Sequence, residues 1–400
     1  MLERTFSGRL MVYFLDITLS TAVIVTVTRW DEAPRFRHQV TRQLVRFFNV
    51  VYVVIDLDNL EDRIEKINDR FIIYTPGIGK SSLKRIYWVE AVTHHLINRI
   101  IRNKIINFLK NIKSKKMLIN FQFDFYQLVN LKGFFVLKCY ICNDEFPKML
   151  SGFSRYKIKA WFQERLFNYY ERQVIKHSDF CLAPHTPLVQ KIQKINKNVQ
   201  LFLPGHEFRL PARPSPLRQR TRPIRIGYMG FITYYLLTDW LLEIARSNDF
   251  ELFMLGPIEK YDPSLLKEFS NVKFMPALKG KELEKNLTKM DVLIIPYDTQ
   301  KPTVKVQTAP NKFYQYLAAG KPVVISNMPH FIEMPEGLLY KAKSAKEFVQ
   351  KIRQAFSEDT LEKVNLRLKI ASENSWDKRG EQLYEIINKL SIKPEGSEDR

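Results

Sequence analysis

Three groups of residues in this 400-residue chain have types and spacings suited to chemistry. The first is Lys312 with Gln315, in the run Pro310-Asn-Lys-Phe-Tyr-Gln-Tyr-Leu-Ala-Ala-Gly320. A helix over 310–319 following a strand would offer free N–H groups and a partial positive charge at its start, a good place for a diphosphate. Lys312 in the first turn would add a full charge. Gln315, three residues on, would share its face and reach a ribose or sugar hydroxyl. Gly230 closes the apolar run 225–230, and a glycine there leaves the backbone open to close approach.

The second group is carboxylates that could take a proton from an attacking hydroxyl. Asp144 follows the apolar run 134–142, and Asp31 and Asp124 are alternatives; each is equally suited to capping a turn. The third group offers metal chemistry. Asp56-Leu-Asp58 places hard oxygen ligands at i and i+2, but solvated loop charge is the favoured reading. Cys139-x-x-Cys142 sits in a strand-like run, where buried thiols are the default. His94-His95 has no matching carboxylate or cysteine cluster in the sequence.

The elements that must hold these groups follow from periodicity. In the second half, strands are expected over 225–230, 250–256, 272–277, 291–297 and 322–326, with helices over 235–247, 281–289 and 310–319. Apolar strands alternating with amphipathic helices mean a parallel sheet covered on both faces. The first half repeats the grammar, with strands over 22–28, 50–55, 71–74, 116–121, 134–141 and 180–184 and helices over 38–47, 85–111 and 159–176. Between them, 204–223 carries five prolines and several arginines, a composition that sustains neither helix nor central strand. The expected division is therefore 1–203, a linker 204–223, a second domain 224–370, and a helix with a polar tail over 371–400. The fold class is α/β, two Rossmann-like domains facing each other across a cleft.

Bulk properties narrow the partners. The 45% hydrophobic content with 13% aromatics builds packed cores, and three cysteines (Cys139, Cys142, Cys181) supply neither a disulfide framework nor a four-thiolate zinc site. The formal charge is +21, with 32 Lys+Arg against 17 Asp+Glu in residues 1–200 and 31 against 25 in residues 201–400. Such an excess attracts anions: phosphorylated small molecules, an anionic membrane or nucleic acid. The apolar stretch 10–27 contains Asp16 and several Ser and Thr; its end reads as the first buried strand, preceded by a leader over 1–20. Segment 80–116 holds ten Lys+Arg and one acid, Glu90, with Trp88 and the stripe Val89, Val92, Leu96 and Ile100. A basic amphipathic helix of this kind suits an anionic membrane surface, with Trp88, Arg99, Arg102, Lys110 and Lys113 as contacts; the residues at 156–170 repeat the mixture. No nucleic-acid-binding motif accompanies these surfaces.

The motifs Ile226-Gly-Tyr-Met-Gly230, Phe253-Met-Leu-Gly-Pro257, Asp291-Val-Leu-Ile-Ile-Pro-Tyr297 and Pro310 through Val324, in this order, resemble the donor-binding half of GT-B fold glycosyltransferases. The likeness is to the family-4 type and to teichuronic-acid and xanthan-type capsule enzymes. It covers roughly 223–390 and extends more weakly to Arg29-Trp-Asp-Glu-Ala-Pro34, Cys142-Asn-Asp-Glu-Phe146 and Ser178-Asp-Phe-Cys-Leu-Ala-Pro184. The resemblance implies a hexosyl- or glycuronosyltransferase without a metal or other cofactor, taking a nucleoside-diphosphate sugar to a lipid-linked saccharide in surface or capsular polysaccharide assembly, at the cytoplasmic membrane face. It also implies a donor site of Gly230, Tyr297, Thr308, Pro310, Asn311, Lys312 and Gln315. Two departures stand out: relatives carry a glutamate where Gln315 stands, and 231–238 lacks their basic pair, so diphosphate neutralisation would lean on Lys312 with Lys301 or Lys305. A catalytically weak GT-B-derived binding or scaffold subunit is the alternative those departures raise.

Overall fold

The computed structural model describes residues 19–32, 34–78, 90–147, 157–210 and 223–391. Residues 1–18 of the expected leader, Trp88 and the core of the Pro/Arg-rich stretch lie outside these residues. By contacts the chain forms two units. The first holds Met1–Ala183, Leu188–Leu201 and Gly380–Arg400, and the second Pro184–Pro187 with Phe202–Arg379.

The first unit is built on an eight-stranded sheet. In chain order its elements are β1 (Thr21–Thr26), α1 (Phe36–Leu44), β2 (Asn49–Val54), β3 (Arg63–Asn68), β4 (Phe71–Thr75), α2 (Glu90–Leu109), β5 (Lys116–Asn120), α3 (Tyr126–Val129), β6 (Leu137–Ile141), α4 (Lys157–His177), β7 (Phe180–Ala183), α5 (Thr186–Gln193) and β8 (Val199–Leu201). The strand order is β3-β4-β2-β1-β5-β6-β7-β8, parallel except for β3 against β4. β1, β2 and β7 are buried along their whole length, as strands covered on both faces must be. One face packs Val23, Val51 and Leu118 against Ile101, Ile105 and Leu109 of α2 and Val174 of α4. β3, reading Arg-Ile-Glu-Lys-Ile-Asn with nearly every side chain exposed, is an edge strand that sequence periodicity missed. Its charges blunt the sheet edge against pairing with other chains.

The second unit continues with β9 (Ile224–Met229), α6 (Thr238–Ala245), β10 (Phe250–Leu255), α7 (Ser264–Lys267), β11 (Val272–Met275), α8 (Gly280–Thr288), β12 (Val292–Ile295), α9 (Pro302–Lys305), α10 (Lys312–Ala318), β13 (Val323–Ser326), β14 (Leu339–Ala342), α11 (Ala345–Ser357), α12 (Leu361–Ser372) and α13 (Trp376–Ser391). Its order is β11-β10-β9-β12-β13-β14, parallel throughout. The start of the Pro-rich stretch is not free: His206 Nε2 bonds the Ala371 carbonyl at 2.8 Å, and Phe208 is buried in this unit's core. Helix α13 begins in the second unit, and its residues from Gly380 count with the first, where Tyr384 stacks on Phe47 at 4.5 Å between centroids.

Both sheets reverse direction of growth at a single place. In the first, β1 lies between β2 and β5; in the second, β9 lies between β10 and β12. In open α/β sheets, ligands bind outside the carboxyl ends of the strands at such switch points. The residues following β1, β5 and β6, and those following β9 and β12, are therefore where each unit's site belongs.

Candidate functional site

In the second unit the switch point is a cage of tyrosines around one amine. β9 ends at Tyr228-Met229-Gly230, and Gly230 has φ 127°, a conformation open to glycine. The next strand's turn, at Gly256 (φ 143°), packs so closely that a Cβ there would overlap the Gly230 carbonyl oxygen. Lys312 opens α10 and reaches back over the end of β9. Its Nζ stands 4.0 Å from the Tyr228 ring centroid and 4.9 Å from that of Tyr297. A Cβ on Gly230 would meet that Nζ at 2.7 Å, so a side chain there would displace the amine, and the backbone conformation itself calls for glycine.

The cage is braced by its own polar groups. Tyr316, four residues after Lys312 on the same helix face, accepts from the Met229 N–H at 2.8 Å. Tyr228 donates to the Phe231 carbonyl at 2.7 Å, and Tyr235 sets its edge against Tyr297 at 4.9 Å. Lys312 is only 7% exposed, and among the described residues no carboxylate pairs with it. Burial alone holds its amine well below the ordinary lysine value. Two ring faces support a cation modestly; they do not replace a counter-ion.

The other expected donor residues fall out differently. The helix begins at Lys312, not at 310, so Pro310 and Asn311 precede it, and Asn311 makes no side-chain cap bond. Gln315 is half-buried on the helix. Tyr297 lies beneath the amine rather than open to solvent, with its carbonyl accepting from Ser326 Oγ at 2.6 Å. Thr308 is buried and occupied: its Oγ1 accepts from the Thr186 N–H at 2.8 Å, and its own N–H donates to His185 Nδ1 at 3.2 Å. It ties the Pro184–Pro187 turn into the second unit. Lys301 pairs with Asp298 at 3.6 Å, and Lys305 is exposed. Sequence reasoning missed Thr303 in α9 and Gln307 just after it, whose Oγ1 and Oε1 are buried without a hydrogen-bond partner among the described residues; no pattern marks such atoms before the chain is folded.

In the first unit the residues after β1, β5 and β6 converge on Arg37 and Asp144. The loop after β1 is shaped by His38, whose Nδ1 accepts from the Arg35 N–H at 3.0 Å while Nε2 bonds the Arg29 carbonyl at 2.8 Å. These partners assign the proton to Nε2, and burial keeps the ring below its usual pKa. Arg37 donates to Thr28 Oγ1 at 2.5 Å and lies 5.9 and 5.8 Å from the ring centroids of Phe121 and Phe146. Its Nε is enclosed with no partner among the described residues, as is Oδ1 of Asn143. Burial pushes the neighbouring Asp144 carboxyl up to about 6, and the positive charge of Arg37 pulls the other way. The loop bearing Asp144 is held by Glu145, which shares Lys191 with the buried Glu171 at 2.5 and 2.6 Å. Burial opposes the Lys191 charge, but these two carboxylates keep its amine above the ordinary range.

The alternatives to Asp144 separate clearly. Asp31 is exposed and paired with Arg29 at 3.0 Å. Asp124 is enclosed, and its Oδ2 lies 3.3 Å from His94 Nε2. The carboxylate comes from the loop after β5, thirty residues along, and among the described residues no group of three or more His, Cys, Asp or Glu forms around this pair. Burial raises the Asp124 carboxyl, with His94 opposing. Asp56 accepts from the Asp58 N–H at 3.0 Å within a turn. Of the expected membrane contacts, Arg99, Lys110 and Lys113 are exposed and Arg102 bonds Asn103. No described helix is long and apolar enough to cross a membrane.

Residues 223–358 match the family model described as Glycosyl transferases group 1. A curated relative, the putative teichuronic acid biosynthesis glycosyltransferase TuaH of Bacillus subtilis (strain 168), is 26% identical over 215 residues, covering 50% of this chain and 53% of that protein. The match thus spans about half the length of that relative. Among solved structures, a sucrose-phosphate synthase from Thermosynechococcus elongatus superposes with a TM-score of 0.66 at 12% identity, over 93% of this chain and 99% of that one. A trehalose-6-phosphate protein from E. coli bound with UDP-2-fluoro glucose also gives 0.66, at 9% identity over 94% and 99%. The lipopolysaccharide outer core galactosyltransferase WaaB gives 0.60, at 11% identity over 93% and 99%. At these identities the structures show the fold, which is GT-B with two Rossmann-like domains, and the sequence matches add the resemblance to glycosyltransferases in the second half.

Proposed function

We propose that the protein is a glycosyltransferase that moves a hexosyl or glycuronosyl group from a nucleoside-diphosphate sugar to a lipid-linked saccharide, in surface or capsular polysaccharide assembly at an anionic membrane face. The observation that carries this reading is Lys312: a buried amine without a carboxylate, set at the switch point of the second sheet against Gly230. An uncompensated buried charge is costly, and a diphosphate arriving there removes the cost. Gly230 leaves the approach open, and the unpartnered Gln307 and Thr303 give polar atoms for the rest of the donor. The TuaH and WaaB likenesses support surface-polysaccharide chemistry.

In this reading the acceptor oxygen forms the new bond to the anomeric carbon while the bond to the diphosphate breaks, leaving its electron pair on phosphate beside Lys312. That placement stabilises charge where it develops. Transfer is metal-independent, and the proton of the acceptor hydroxyl passes to Asp144, whose raised pKa suits a base near neutrality. Asp124 stays with His94 in a positioning role.

The test is calorimetry with a panel of nucleoside diphosphates and assay of donor hydrolysis. Binding that Lys312→Met weakens, with slow sugar release to water, supports the transferase. Binding without hydrolysis or transfer supports the scaffold reading that Gln315 and the missing basic pair suggest. No binding of any nucleotide overturns both.

A further inference from the structure

We infer that the outer face of α4 is a lipid-interfacial surface that seats the first unit on anionic headgroups. This deepens the membrane reading above by assigning a contact to one described element, α4.

The helix has two unlike faces. Tyr170, Glu171, Val174 and Ile175 are buried, and Glu171 is engaged with Lys191 and Tyr140, so the inner face is anchored. The outer face exposes Ile158 (76%), Trp161 (49%), Phe162 (54%) and Tyr169 (53%). Spacings of three, four and seven put these on one side of the helix with Arg165 between them. Single exposed apolar residues are ordinary on a protein surface; a contiguous row is not. Among the described helices no other exposes two adjacent aromatic rings.

The charges on this helix name the occupant. Lys157, Arg165, Arg172 and Lys176 are all exposed, while of its two acids Glu171 is buried and paired, leaving half-buried Glu164. Arg165 lies 4.1 Å from the Trp161 ring centroid, so its charge travels with the ring. Aromatic and aliphatic groups entering the headgroup layer, flanked by cations left at the phosphate level, match the physics of an interfacial helix. A neutral protein partner would use the rings and waste the charges.

Helix α2 adds less. Its Ile97, Ile101 and Ile105 turn inward, leaving Leu96 (44%) and Ile100 (46%) outside with Arg99. His94 of α2 stacks on Tyr170 of α4 at 4.8 Å, so α2 abuts the proposed surface without matching its aromatic content.

The experiment is co-sedimentation of the full chain with vesicles of phosphatidylcholine alone and of phosphatidylcholine with phosphatidylglycerol, at low and high salt. The wild type should prefer the anionic vesicles, and salt should weaken that preference. Trp161→Ser with Phe162→Ser should lower partition about tenfold or more, since each ring's shallow burial is lost. Arg165→Gln with Arg172→Gln should flatten the salt dependence. Both pairs are surface changes, so melting temperature and nucleoside-diphosphate binding should not move. Unchanged partition in the double-serine variant, or equal binding to both vesicle types, overturns the inference. So does a wild type that ignores vesicles yet self-associates in a way the serine variant abolishes, because the face would then be covered by a second copy. Failure of nucleotide binding with vesicle binding intact would sink the transferase reading alone.

Discussion

The amine of Lys312 sits 4.0 Å from the ring centroid of Tyr228, facing a glycine whose missing side chain leaves it room. A lysine at the opening of a surface helix would normally be solvated. Here the helix lies over the carboxyl end of the sheet, so the residue that starts it is pressed onto β9. The consequence is an amine with ring faces for company and no anion of its own among the described residues.

Replacing Lys312 with methionine keeps the stem's packing and removes the charge. Nucleoside-diphosphate affinity should fall by about 1.5–3 kcal/mol, the worth of a charge-assisted hydrogen bond, while the melting temperature holds or rises because a costly buried amine is gone. Calorimetry and thermal melting of the same variant read both arms, and unchanged affinity removes Lys312 from the site.

Binding should also take up a proton. Burial holds the empty-site amine below its usual value, and a diphosphate favours its charged form, so the bound state holds more protons than the free one. Affinity should rise as pH falls through the range where the free amine is losing its proton. Titrations in two buffers of different ionisation enthalpy should give different apparent heats for the wild type and equal heats for Lys312→Met.

Asp144 works as a base only when ionised. With its carboxyl raised to about 6, transfer should rise with pH through about 6 and level off above it. Asp144→Asn should lower turnover by about 10²–10⁴ with nucleotide affinity unchanged. Arg37→Met should move the acid limb to higher pH, because the charge that opposes the burial effect is removed. A profile that stays put in Arg37→Met would separate the two residues.

His185 makes the fold acid-sensitive. Burial holds its ring down to about 4, so it is neutral when it accepts from the Thr308 N–H. Its folded pKa lies below the unfolded value near 6.5, so the unfolded chain binds more protons in between. Stability is therefore full above about 6.5 and declines as pH falls toward about 4, by on the order of 2–3 kcal/mol. Urea midpoints between pH 7 and 4.5 should show this slope. His185→Gln, which keeps an acceptor and cannot titrate, should reduce it.

Much of this molecule is legible in the order of its residues. Runs such as 291–297 and 250–256 are short, apolar and glycine- or proline-bounded, and a parallel sheet is the way to bury both faces of so many of them. The sequence alone therefore set out two α/β units and most of their apolar strands, and marked Gly230, Lys312 and the carboxylates Asp144, Asp31 and Asp124 as candidates, because periodicity and turn chemistry are local properties.

The tertiary structure decided the rest, for reasons that are not local. β3 is invisible to periodicity because its stability comes from pairing with β4 rather than from apolar residues of its own. Lys312 reads as a solvated first-turn cation until the order of strands puts Tyr228 and Tyr297 under it. Thr308 reads as ligand-facing until Thr186 and His185 arrive to occupy it. His94 acquires Asp124, and Asp144 acquires Arg37, only when β1, β5 and β6 lie side by side. A side chain's charge is written in the sequence, but its dielectric surroundings and its partner depend on which strands become neighbours, and that is settled by the packing of the whole sheet.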